Sequence, residues 1–100
     1  MSFPTRPSIS IIIPTLNEEK YIERCLKSLK NQSFRNFEII VSDSYSTDDT
    51  VKIAKKYGAK VVLTKKTGPA AGRNEGARKA KGSILVFLDA DTFVTKKFLA

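Results

Sequence analysis

The sequence predicts an α/β fold, a Rossmann-like parallel sheet with the element order βαβαβαβ. Short apolar runs alternate three times with segments of helical periodicity, and such alternation is typical of parallel strands joined by right-handed crossovers. The last run, residues 84–88, is apolar at every position and leads into Asp89 and Asp91. Because an unbroken apolar strand is typical of a sheet covered on both faces, we expect this strand to be buried on both sides.

The first βα unit opens the chain. Residues 8–13 are the predicted first strand, which Pro14 ends. A helix is predicted over residues 18–32, with Asn17 as its N-cap. Its apolar face consists of Tyr21, Ile22, Cys25, Leu26 and Leu29. Cys25 is the single cysteine, so we expect it in the core as a small apolar residue rather than as a nucleophile.

The second unit has a strand over residues 37–41, followed by a helix. Thr47, with Thr50 three residues later, is predicted to open this helix. The helix runs to Tyr57, and Gly58 supplies its C-terminal stop.

The third unit and the fourth strand complete the predicted sheet. A short strand over residues 61–63 leads through a loop to a helix that begins near Pro69 and stops at Gly82. The fourth strand covers residues 83–88, and residues 95–100 begin a further helix. We therefore expect a sheet that stops after its fourth strand, with no second wall for a ligand crevice.

Charge and composition limit the classes of function. The chain has 18 Lys and Arg against 10 Asp and Glu, a net charge of +8 that favours anionic partners such as nucleotides or phospholipid head groups. Most lysines fall on predicted outer helix faces, and no RNP-like or helix-turn-helix pattern occurs, so nucleic acid is not an expected partner. The chain has no histidine, which excludes Ser-His or Cys-His catalysis and His-ligated zinc.

Targeting and nucleotide motifs exclude further classes. No apolar run approaches the roughly 18 residues of a membrane span, and residues 1–7 have no signal-peptide pattern, so we expect a cytoplasmic protein. Contact with a membrane surface would come through regions outside this chain. The absence of Gly-x-Gly-x-x-Gly and of a Walker-type lysine disfavours dinucleotide oxidoreductases and P-loop phosphotransferases.

Polar side chains gather at one edge of the predicted sheet. Parallel strands all end at the same edge, which is where open α/β sheets bind ligands. The loops after the four strands deliver to it Thr15, Asn17, Glu18, Asp43, Arg73, Asp89 and Asp91. Four loops that deliver polar groups to one crevice predict a binding site.

Two carboxylates at this edge form a candidate metal site. Asp89 and Asp91 could each give one oxygen to Mn²⁺ or Mg²⁺ and leave the other positions to water and diphosphate oxygens. The alternative is a capped turn before a helix.

Asp43 and Arg73 each have a functional and a structural interpretation. Asp43 either accepts hydrogen bonds from the imino edge of a nucleobase or is a turn residue that bonds its own backbone. Arg73, near the start of a helix, either holds a diphosphate, or faces the base, or is a surface arginine.

In order and spacing, five segments resemble the nucleotide-sugar glycosyltransferases of the GT-A fold, family 2. The segments are residues 10–19, 29–33, 37–43 with 46–48, 73–76 and 87–91. The resemblance implies that Asp43 reads the base, that Arg73 lies against the nucleotide, and that Asp89 and Asp91 hold the metal and diphosphate. With Asn17 from the same edge, the predicted nucleotide-binding residues are Pro14, Thr15, Asn17, Glu18, Asp43, Arg73 and Asp89.

The function implied by this resemblance is sugar transfer from a nucleoside-diphosphate sugar to an acceptor, with metal assistance and inversion. The chain looks like the N-terminal, donor-binding part of such an enzyme. Many relatives have two adjacent acids where this chain has Asp43 and Ser44, which leaves the base preference open. Residues 92–100 contain no carboxylate to match the family's catalytic base. We therefore assign no catalytic residue and expect the isolated chain to be inactive.

Other interpretations stay open. A non-catalytic nucleotide-binding module would keep the donor pocket alone. A nucleotidyltransferase that makes nucleotide sugars would carry a glycine-rich signature with Arg and Lys after the first strand, where residues 14–17 read Pro-Thr-Leu-Asn. The acceptor is left open among a sugar, a lipid-linked group and a protein. The apolar edge that the fourth strand would expose predicts self-association, with a homodimer as the simplest form.

Overall fold

Seven elements alternate along residues 7–65 and 69–99, the part of the chain that the computed structural model describes. They are β1 (Ile9–Thr15), α1 (Glu19–Lys30), β2 (Phe37–Asp43), α2 (Thr50–Lys56), β3 (Lys60–Leu63), α3 (Pro69–Lys79) and β4 (Ile84–Phe87). The strands form one parallel sheet in the order β3-β2-β1-β4. The predicted α/β class and element order are confirmed.

The central strand of the sheet is β1, which lies between β2 and β4. It pairs with β2 from Ile9 opposite Phe37 to Thr15 opposite Asp43. Its alternate side chains face opposite sides, as in any strand. On one side, Ile11 and Ile13 belong to the main core, together with Ile22, Cys25, Leu26 and Leu29 of α1. The predicted apolar face of α1 is therefore confirmed for these four residues.

Cys25 lies in this core with 1% of its surface exposed. Burial, with a smaller contribution from Asp91, raises the pKa of the Cys25 thiol to about 11. A thiol that stays protonated at neutral pH is a poor nucleophile, so Cys25 is the core residue that the sequence predicts.

The other side of β1 meets α3 at very short range. A Cβ atom on Gly76 would lie 2.5 Å from Cγ2 of Ile12, and one on Gly72 would lie 2.8 Å from Cβ of Pro14. These two glycines, one turn apart on α3, let the helix backbone rest on the strand. This contact sets the position of Arg73, which follows Gly72 at the ligand edge.

The exposure of β4 contradicts the prediction of a strand buried on both sides. Ile84 is 57% exposed, Leu85 40% and Phe87 44%. Within the described part of the chain β4 pairs with β1 alone, so its other edge is open. The prediction was wrong because an apolar run indicates only that burial of the strand would be favourable. It does not show that a neighbouring strand or helix is present to cover it.

The predicted helix that begins at residue 95 is also wrong for the described residues 95–99, because residue 95 lies outside any regular element and residues 96–99 form turns. The side chain of Gln32 binds the backbone at both ends of this stretch. Its Nε2 donates to the carbonyl oxygen of Thr95, and its Oε1 accepts from the amide of Leu99 at 2.9 Å. These bonds occupy backbone groups that a helix would use.

Both predicted helix starts at the ligand edge need correction. Glu18 is the N-cap residue of α1, and α2 begins at Thr50 rather than at Thr47. Asn17 has a left-handed φ of 54° and does not cap α1. Its Oδ1 instead accepts from the amide of Thr47 at 2.8 Å, across to the loop between β2 and α2.

No helix in the described residues is long and apolar enough to cross a membrane.

Candidate functional site

A cavity of about 490 Å³ opens at the carboxyl end of β1, beside the segment that follows β4. The lining residues come from the end of β1, the start of α1 and the loops after β2 and β4. They are Pro14, Thr15, Leu16, Glu18, Tyr21, Ser44, Asp89, Ala90 and Asp91. Five of these were predicted as site residues, so the parallel sheet does bring the separate loops together.

Three predicted residues lie outside the lining of this cavity, and each contacts or adjoins a residue that lines it. Arg73 reaches Asp89, with 3.5 Å between Nη2 and Oδ1. Asp43 is hydrogen-bonded to Thr15, and Asn17 directly precedes Glu18.

Four lining residues were not among the predicted site residues: Leu16, Tyr21, Ser44 and Ala90. Tyr21 was predicted on the core face of α1, but it is 53% exposed. By helical periodicity Tyr21 lies on the same side of α1 as Cys25 and Leu29. The first turn of α1, which carries Tyr21, extends past the core, so its side chain is not covered. A tyrosine at the ligand end of an amphipathic helix was the available signal, since its ring and hydroxyl suit a boundary between core and water.

The carboxylate of Asp43 is completely buried behind the cavity. Its Oδ1 accepts from the hydroxyls of Thr15 and Ser46, both at 2.6 Å. Its Oδ2 accepts from the amide of Ser46 at 2.8 Å. This geometry matches the second interpretation given to Asp43, a turn residue that bonds nearby backbone. Base reading by Asp43 stays a prediction, because in this conformation its oxygens do not face the cavity.

Hydrogen bonds join the loop after β1 to the loop after β2. The amide of Asn17 donates to Oγ of Ser46 at 2.8 Å, and the amide of Glu18 donates to Oγ1 of Thr50 at 2.9 Å. Together with the bond from Thr47 to Asn17, they hold Thr15 and Glu18 in place at the cavity. Asn17 itself does not line the cavity, and its side chain contacts the loop after β2. Its role in nucleotide binding stays a prediction.

Acidic side chains make the cavity electronegative. The pKa of Glu18 is raised, first by burial and then by the charges of Asp91, Asp48 and Asp89. Two carboxylates that line an open cavity and repel a third fit a divalent cation, which would relieve this repulsion. Among the described residues no three Cys, Asp or Glu side chains form a complete metal cage. Asp89 and Asp91 alone would supply two oxygen donors, which is compatible with Mg²⁺ or Mn²⁺ only if substrate oxygens complete its coordination.

The ion pair between Arg73 and Asp89 is largely solvated. The two side chains are 44% and 68% exposed, so the pair contributes little to stability. Either partner is therefore free to exchange its contact for a ligand at small cost.

We expect Glu18→Gln to raise stability at neutral pH and to lose this advantage in acid. A glutamate whose folded pKa is raised contributes stability in its protonated form, and that contribution is lost as the pH rises through the folded pKa. At neutral pH the wild-type chain carries a disfavoured charge that the glutamine variant lacks. Thermal unfolding of both chains between about pH 4 and 7 measures the difference.

Asp91→Asn provides the matched control, since Asp91 is one cause of the shift. The gain from Glu18→Gln should shrink in the Asp91→Asn background. A gain that is equal at both ends of the pH range would show that charge repulsion is not its source.

The model for glycosyl transferase family 2 matches residues 10–100. The chain belongs to this family. The family 2 enzyme TarS of Staphylococcus aureus, a poly(ribitol-phosphate) beta-N-acetylglucosaminyltransferase, is 40% identical over 98 residues, which cover 90% of this chain and 17% of TarS. The crystal structure of TarS 1–349 in complex with UDP superposes with a TM-score of 0.87 at 38% identity, over 92% of this chain and 30% of that one.

A second relative of known structure is a mannosyltransferase, PcManGT from Pyrobaculum calidifontis, solved in complex with GDP-Man and Mn²⁺. It superposes with a TM-score of 0.77 at 32% identity, over 90% of this chain and 29% of that one. The described sheet is thus the GT-A sheet that the resemblance implied. The chain spans about a sixth of the length of TarS, 17%, so its alignment concerns one part of a family 2 protein.

Proposed function

We propose that this chain forms the donor site of a glycosyltransferase and binds a nucleoside-diphosphate sugar together with Mn²⁺ or Mg²⁺. One observation carries the proposal: a single cavity is lined by Pro14 and Thr15 at the end of β1, by Glu18 just after that strand, and by Asp89 and Asp91 after β4. Relatives solved with UDP, and with GDP-Man and Mn²⁺, support a nucleotide and a divalent cation as the ligands. Sugar transfer to an acceptor, with inversion, is what the family resemblance adds.

Each residue of the site has a task in this proposal. Asp89 and Asp91 would hold the cation, which when bound neutralises charge on the departing diphosphate. Arg73 would turn its guanidinium from Asp89 to the diphosphate, for which its fork of N–H donors is suited. Tyr21 and Leu16 give the cavity exposed apolar surface against which a nucleoside or sugar ring can pack.

The base preference depends on the loop after β2. Ser44 lines the cavity where many relatives have a second acid, and Asp43 behind it is already hydrogen-bonded to Thr15 and Ser46. We propose that a base bound here meets this loop, so that uridine and guanosine diphosphates should differ in affinity.

Calorimetric titration of the chain with UDP and GDP, with and without Mn²⁺, tests the proposal. We expect Mn²⁺ to strengthen binding of the preferred nucleotide, and we expect Asp91→Ala to weaken the metal-dependent binding about tenfold or more. Asp89→Ala should have a similar effect and should also release Arg73.

Asp49→Ala is the control variant, because Asp49 is an exposed acid next to α2 that does not line this cavity. It should bind nucleotide and metal as the wild-type chain does. Binding that ignores Mn²⁺, or an equal loss in all three variants, would contradict a metal site at Asp89 and Asp91.

A further inference from the structure

A second, larger cavity of about 660 Å³ lies along α1, which also forms one wall of the donor cavity. Its other wall is the chain that follows Asp91. The lining residues are Glu23, Arg24, Lys27, Ser28, Asn31 and residues 93–96. Tyr21 of the donor cavity and Arg24 of this one are three residues apart on α1 and therefore share a helix face. The two cavities thus follow one another along the same pair of walls, and we call the second one the basic groove.

The charge of the basic groove is positive and uncompensated. Arg24, Lys27 and Lys96 are exposed, and none of them forms an ion pair within the described part of the chain. Among the described residues that line the groove, Glu23 is the only acid. Its carboxylate accepts a hydrogen bond from the hydroxyl of Tyr57 at 2.9 Å and lies 3.9 Å from Nζ of Lys56, both on the side of α2. Three cations therefore face the groove, and the acid in its lining is already engaged.

The guanidinium of Arg24 is held in an orientation that suits the binding of an anion. The centre of its guanidinium lies 4.4 Å from the centroid of the Phe93 ring, which is 57% exposed. A guanidinium stacked on an aromatic ring keeps its N–H donors in the plane, where they can bind a planar or tetrahedral anion. The wall that carries Phe93 is itself fixed, because the amide of Val94 donates to Oγ of Ser28 at 3.2 Å.

We propose that the basic groove binds a phosphate ester carried by the acceptor. Three cations, one of them stacked and therefore ordered, match the charge and the hydrogen-bond acceptors of a phosphate group. The groove follows the donor cavity along α1, so an anion bound there would hold the rest of its molecule near Asp91. Assignment to an acceptor rests on the proposed function, whereas binding of the phosphate ester does not.

Amide chemical-shift mapping of the 100-residue chain tests this site with glycerol 2-phosphate as the soluble probe. Vesicles of phosphatidylglycerol, compared with vesicles of phosphatidylcholine, form a second arm for a phosphate in a lipid head group. We expect shifts at residues 24–31 and 93–96 in at least one arm. The triple variant R24Q/K27Q/K96Q should weaken that binding about tenfold or more, because it removes the charge-assisted bonds.

The matched control is K52Q/K55Q/K79Q, which removes the same charge from exposed helix positions outside the groove. It should weaken binding less than about twofold, which is the effect of net charge alone. Equal losses in both triple variants, or no binding of either probe, would overturn the proposal. Binding by only one probe supports it and identifies the source of the phosphate.

Titration of R24Q/K27Q/K96Q with UDP and Mn²⁺ separates this proposal from the donor site. None of its three positions lines the donor cavity, so nucleotide binding should be unchanged. A chain that binds glycerol 2-phosphate in the groove but no nucleotide would refute the donor site and leave the groove intact. The converse result would refute the groove alone.

Discussion

Asp43→Ala is expected to lower the free energy of unfolding by about 3 kcal/mol, because it leaves three donors without their acceptor in a buried place. The donors are the hydroxyls of Thr15 and Ser46 and the amide of Ser46, all within 2.8 Å of the carboxylate. Asp43 itself is fully buried, so water cannot replace it without a change in the loop. Urea unfolding of the variant and the wild-type chain measures the loss.

Asp43→Asn is the conservative counterpart. Its amide oxygen can still accept from the amide of Ser46, and its NH₂ group can donate to the two hydroxyls, so most of the stability should remain. The same variant tests base reading. If Asp43 reads the base, Asp43→Asn should weaken UDP binding by about 1–3 kcal/mol and leave pyrophosphate binding unchanged. Equal loss of both ligands would leave Asp43 only its structural role, and full stability of Asp43→Ala would contradict the hydrogen-bond argument.

Gly76→Ala is expected to destabilise the chain, although alanine is the better helix former. The propensity of alanine favours the variant by up to about 1 kcal/mol. The new Cβ would lie 2.5 Å from Cγ2 of Ile12, a fully buried side chain, and overpacking of this kind costs about 1–3 kcal/mol. We expect the overpacking to prevail, with a lower midpoint in urea and an α3 pushed away from β1.

Asn74→Ala supplies the control on the same helix, because Asn74 is exposed. It gains alanine's propensity without meeting β1, so its stability should rise slightly, within about 0.5 kcal/mol. If Gly76→Ala also gained stability, α3 would not rest on β1 as closely as the structure has it. A further consequence is that Gly76→Ala should weaken nucleotide binding, since α3 carries Arg73 to Asp89.

The elements were predictable because each has a local cause. The apolar repeat of α1 and the apolar runs of β1 and β2 indicate which side chains are buried on folding. This indication is the same whichever element packs against them. The gathering of Thr15, Glu18 and Asp91 at one cavity followed from topology, because parallel strands end at one edge.

The features that were predicted wrongly depend on contacts between residues far apart in the sequence. Asn17 reads as a cap for α1, but its amide oxygen binds Thr47, 30 residues away. Residues 95–99 read as the start of a helix, but Gln32 takes their backbone groups. A polar side chain with several possible partners forms its hydrogen bond with one that lies close to it in the folded chain. Local sequence does not show which distant residues will be close.

The sequence by itself determined the α/β class, the order of the strands and helices along the chain, and the edge at which its polar loops meet. These follow from hydrophobic periodicity and from the handedness of parallel connections, which are properties of any chain with this pattern. Only the tertiary structure decided that Asp43 is buried behind Thr15, that Phe87 is exposed at the sheet edge, and that Arg24 stacks on Phe93. Each of these depends on which side chain occupies a particular space, and that is settled by packing between elements far apart in the sequence.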